Sequence, residues 1–130
     1  MIIDITNEFI TDIKSDLSGI PVYTHYPKTK PSFPCVIIEE MQNDDYQNTR
    51  DSSGQTHCQI GFEINILSNK SQPVTEVKGI RDLIDLVATG DYGLVRTFSR
   101  AVPNYIDDNI YRYVIRYIGV INENKTIYRR

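Results

Sequence analysis

The stretch His57-Cys-Gln-Ile-Gly-Phe-Glu-Ile-Asn-Ile-Leu67 decides the fold, because Cys58, Ile60, Phe62, Ile64 and Ile66 alternate with His57, Gln59, Gly61, Glu63 and Asn65. A period of two sustained over this length is a strand with one face in a core. On its C-terminal side the turn Ser68-Asn-Lys-Ser71 leads to Pro73, which suits the first turn of a helix. Val74, Val77, Ile80, Ile84 and Val87 then make an apolar stripe at helical spacing, and Gly90 is expected to close this helix. Its polar side carries Glu76, Lys78, Arg81, Asp82 and Asp85, either a solvated face or a face for a partner. Asp91-Tyr-Gly93 reads as a turn, and Leu94 to Tyr105 as a weaker strand interrupted by Pro103.

The last strand is Ile110-Tyr-Arg-Tyr-Val-Ile-Arg-Tyr-Ile-Gly-Val-Ile121. Ile110, Val114, Ile118 and Val120 share one face, read as the core side, while Tyr111, Tyr113, Ile115 and Tyr117 share the other. An aromatic row away from the core is covered either by another chain or by a second, small tyrosine core within the monomer.

Upstream, residues 42–55 contain no aliphatic residue, which predicts a long loop between two strands. A strand from Cys35 to about Met41 precedes it. Before that strand lie an extended, stiff linker from Pro27 to Pro34 and a short edge strand in Pro21-Val-Tyr-Thr-His-Tyr. Ile2, Ile5, Phe9, Ile10, Ile13 and Leu17 place a first helix over about Ile3 to Leu17, stopped by Gly19. The expected fold class is α+β: one domain over 1–130, an antiparallel sheet of about four to five strands, and two helices packed on one face.

Composition narrows the function classes. The chain of 130 residues is 40% hydrophobic and 24% charged, with no apolar run long enough for a membrane span. Acids stand near the N-terminus where a secretory signal would carry bases, so export is not expected. Seventeen acids against fourteen bases, a net charge of −3, argue against a protein that grips phosphates. Pairing Val36 and Ile38 with Phe62 and Ile60 sets Cys58 opposite Glu40, which leaves the two sulfurs on opposite faces and roughly 17 Å apart. Two free thiols and a reducing compartment follow.

Reactive constellations fare poorly. His57 and Cys58 are strand neighbours whose side chains diverge, so they make no nucleophile pair. No Cys-x-x-Cys or His-x-x-x-His spacing offers a metal site, Glu39 and Glu40 cannot face each other across a substrate, and no glycine-rich phosphate loop exists. Arg112, Arg116, Arg129 and Arg130 interleave with Tyr111, Tyr113, Tyr117 and Tyr128, yet Arg112 and Arg116 share their parity with the aliphatics and not with the tyrosines. Catalytic residues, metals and cofactors are therefore not expected.

The element order, with Tyr26-Pro27, Phe33-Pro34-Cys-Val-Ile-Ile-Glu39, the polar loop and the ending Ile110 to Ile121, resembles the tail terminator and tail-completion proteins of long-tailed phages and phage-tail-like particles. That resemblance implies an α+β subunit of a ring, six copies of which cap the tail tube, halt its polymerisation and present a surface to head-completion, sheath or collar proteins. DNA would pass through the ring without sequence-specific binding, and the protein would reside in the virion tail after assembly in the host cytoplasm. The assembly contacts are then expected in the loop from Asp44 to Asp51, including Asp45, with Tyr46 and Arg50 as anchors, followed by Phe98, Arg100, Tyr105, Tyr128, Arg129 and Arg130. The same loop could instead be plain unstructured chain in solution. A head-tail connector on the portal side and a small ligand-binding domain are the alternative classes.

Overall fold

A computed structural model describes residues 4–25, 33–45, 57–69, 73–102 and 110–122. The elements are α1 (Thr6–Asp16), β1 (Val22–Tyr23), β2 (Cys35–Asp45), β3 (His57–Ser68), α2 (Pro73–Asp85), continued by a π-helical turn (Leu86–Asp91), β4 (Val95–Val102) and β5 (Tyr111–Asn122). They form a five-stranded sheet in the order β1-β2-β3-β5-β4. The class is α+β with both helices on one face, and the sheet is mixed rather than wholly antiparallel because edge strand β1 runs parallel to β2.

The core lies between the helices and the sheet. Phe9, Ile10 and Ile13 of α1 and Val77, Ile80 and Ile84 of α2 meet Val36, Ile38, Ile60, Phe62, Ile64 and Ile66. The alternating stretch behaves as its period requires, with Phe62, Ile64 and Ile66 wholly buried on the helix side. Phe9 holds α1 down: its ring is 4.7 Å from Phe62 and 5.2 Å, edge-on, from Tyr92, whose hydroxyl donates to Asp12. Burial, then the bond to Asp12, raises the Tyr92 pKa. Gly19 sits at φ +83°, a conformation open to glycine, just past the end of α1.

Several expectations need correction. On β5 the core side is the aromatic one: Tyr113, Ile115, Tyr117 and Ile121 face the helices, whereas Val114 and Arg116 lie on the other face. The tyrosines can be inside because their hydroxyls are satisfied there. Tyr117 donates to Asp85 at 2.8 Å, and Tyr113 shares a 2.7 Å bond with Ser99 and accepts one from Arg81. Glu76, Arg81 and Asp85 on the polar side of α2 consequently turn toward the sheet, Glu76 accepting from Ser68 at 2.9 Å.

The β2–β3 ladder is displaced by four residues from the expected one, pairing Val36 with Ile66 and Ile38 with Ile64. Its conclusion about the thiols survives. Cys35 pairs with Leu67 and Cys58 with Asp45, and both cysteines are free, buried and on opposite faces. Strand β2 also runs on through a bulge after Glu40 to Asp45, so its last residues are ladder and not loop. Gly61 makes room there, since a Cβ at that position would stand 3.0 Å from Gln42 Cγ. Val74 falls off the α2 stripe, and the turn glycine with positive φ is Gly93 rather than Gly90.

Candidate assembly surface

The face of the sheet away from the helices carries a small apolar cluster at one end, Cys35, Ile37 and Leu67 with Tyr23, Phe33 and Ile110. Beside it runs a chain of polar and aromatic contacts that crosses three strands. Arg112 donates from Nε to Asn65 Oδ1 at 2.7 Å, and Asn65 donates to Glu63 at 3.2 Å. Arg116 donates to the other Glu63 oxygen at 2.9 Å. Its guanidinium also lies 5.1 Å from the Phe98 ring, and that of Arg100 lies 4.4 Å from the same ring. The β4–β5 register brings these together by setting Phe98 opposite Arg116 and Arg100 opposite Val114.

Magnitudes assign roles within this chain. The Arg116–Glu63 pair is partly exposed, so it contributes at most ~1 kcal/mol, and its main effect is to hold the guanidinium beside Phe98. Asn65, only 7% exposed, is satisfied on both sides by Arg112 and Glu63. Arg100 is exposed and has no ion pair among the described residues, which leaves its charge directed at water or at a partner.

The opposite face of β4 is tied to the helices. Arg96 reaches Asp85 at 3.3 Å, the carboxylate that also accepts from Tyr117. Burial, then the bond to Asp85, raises the Tyr117 pKa. Burial alone would raise Tyr113, but the bonds from Ser99 and Arg81 outweigh it and leave its pKa lowered. Burial also pushes the Cys35 thiol up to about 11. No group of three or more potential metal ligands occurs among the described residues, and no helix there is long and apolar enough to cross a membrane.

Of the residues expected to make assembly contacts, Phe98 and Arg100 are brought together on β4, and Asp44 and Asp45 lie at the far end of β2. Tyr46, Arg50, Asp51, Tyr105, Tyr128, Arg129 and Arg130 fall outside the described residues, as does most of the Pro27–Pro34 linker. Sequence reasoning missed Arg116, Arg112 and Glu63 as members of this surface. Their shared parity was visible, but the aromatic partner came from a neighbouring strand and not from β5.

Comparison with solved structures adds one further observation. A chain in the virion of a native gene transfer agent particle superposes with a TM-score of 0.59 at 14% identity, covering 85% of this chain and 84% of that one. What the two share is the fold. Nineteen chains of solved structures match in all. No protein-family model and no curated protein matches the sequence.

Proposed function

We propose that this chain is a structural virion protein that caps a tail tube as a ring, of six copies on the tail-terminator pattern, and offers the joining surface to the head or collar. The observation that carries the reading is the fold shared with a virion chain over most of the length of both. The resemblance in element order and local sequence to tail terminators supports the finer role. Its action is steric: one side of the ring docks on the tube, the other does not copy the tube's growing end, and polymerisation stops. The partners are then the chain itself, the tube protein and a head-completion, sheath or collar protein, while DNA passes through. The protein acts as a single domain in the tail, with no catalytic step and no cofactor. The proposed contacts are Asp44, Asp45, Phe98 and Arg100, which lie among the described residues, together with Tyr46, Arg50, Asp51, Tyr105, Tyr128, Arg129 and Arg130, which lie outside them.

Mixing purified protein with assembled tail tubes tests this. Electron microscopy is expected to show a ring on one tube end, and native mass measurement a multiple of the 15.0 kDa subunit. A protein that stays monomeric beside tubes, binds only portal-side protein, or turns over a small molecule would refute the role.

A further inference from the structure

Among the described residues, the sheet ends in two unpaired edges of opposite charge. Strand β4 (Val95-Arg-Thr-Phe-Ser-Arg-Ala-Val102) is hydrogen-bonded to β5 on one side and to no described strand on the other. It carries Arg96 and Arg100 and no acid. At the opposite edge, β1 covers β2 only at Val36 and Ile37. Residues 38–45 therefore have no described strand beyond them, and that segment holds Glu39, Glu40, Asp44 and Asp45 and no base. This open part of β2 has the same length as β4. Each neighbouring pair from β2 through β3 and β5 to β4 is antiparallel, three reversals in all, so β4 runs opposite to β2. A second copy placed alongside by rotation would thus present its β2 to this β4 as another antiparallel neighbour, with the helices of both copies on the same side.

We infer that copies of this chain join edge to edge, the basic edge β4 of one continuing into the acidic open edge of β2 in the next. The inference rests on the ring reading and names its contact. The occupant of each edge is a second copy because each edge carries the charge the other lacks, and because a head-to-tail joint of unlike edges is the kind that closes into rings. Main-chain bonds would supply the joint as in other strand additions, and the charges would set its register and forbid β4 from pairing with β4. On the helix-free face Arg100 faces the row of Glu39 and Asp44, both exposed.

Charge exchange tests the joint. On the helix-free face Arg100→Glu leaves only acids on both edges, and Glu39→Lys with Asp44→Lys leaves only bases on both. Each variant alone is expected to lose the assembled species seen for the wild type in sedimentation and native mass measurement, while circular dichroism stays that of the folded chain. An equimolar mixture of the two restores an alternating assembly, and so does one chain carrying all three substitutions. If the one-sided variants assemble like the wild type, or if folded variants fail to assemble when mixed, the edge joint is overturned while the ring reading stands. A wild-type chain that never self-associates, with or without tubes, overturns both.

Discussion

Tyr117 shows how one hydroxyl decides which face of a strand lies inside. It is 1% exposed, and its hydroxyl donates to Asp85, which also holds Arg96. Tyr117→Phe removes that donor but leaves Arg96 in place, so a loss of about 1–2 kcal/mol is expected. Urea unfolding with an unchanged slope checks it. Cys35 gives a second outcome, in pH. An unfolded cysteine ionises near 9.0, whereas the folded thiol holds its proton to about 11, so between those values the unfolded chain binds fewer protons. The stability this contributes is intact below 9.0 and is lost as pH rises toward about 11, by up to roughly 2–3 kcal/mol. Tyr117, raised from 10.0, steepens the fall above that point. Urea midpoints from about pH 8 to about pH 10.5 should therefore decline, and Cys35→Ala should flatten the decline below pH 10. A flat wild-type profile would contradict the burial argument.

At the level of elements, the first helix depends on one ring. Phe9 is wholly buried between Phe62 and Tyr92, and Phe9→Ala should cost about 3–5 kcal/mol, read as a lowered denaturant midpoint. The stripes that define both helices and the alternation of β3 were legible because their periods differ and each has one clearly apolar side. The inner face of β5 was not. Both its parities are largely apolar, period alone separates two faces without saying which is buried, and tyrosine reads as outward until its hydroxyl has a partner such as Asp85 or Ser99. The β2–β3 register escaped for a related reason: a displacement of four keeps every side chain on its own face, so Val36 meets Ile66 as well as it would meet Phe62. Residues 42–45 read as loop from their polarity, yet backbone bonds to β3 hold them in the ladder. The candidate surface was half legible. Phe98 and Arg100 were legible only as residue types that often anchor interfaces, and Arg116 joins them through β4–β5 pairing that no local pattern specifies.

Among the described residues, the sheet has its faces largely occupied and its outer edges unpaired. Helices cover one side of the sheet, while the described contacts on the other are mostly satisfied internally, from Arg112 through Asn65 and Glu63 to Arg116. If copies meet through edges of opposite charge, their association should weaken as salt rises from about 50 mM to about 500 mM, where screening shortens to a few ångströms. Sedimentation at fixed protein concentration measures this, and an assembly that tightens with salt would point to an apolar joint instead. The placement of the two thiols has a practical bearing on such work. Cys35 and Cys58 are each enclosed, on opposite sides of the sheet. A substitution such as Lys14→Cys, at an exposed point of α1, would give a dye a single target in water without removing either native cysteine. Neighbouring subunits could then be counted by stepwise photobleaching and their spacing followed by energy transfer on an otherwise unaltered chain.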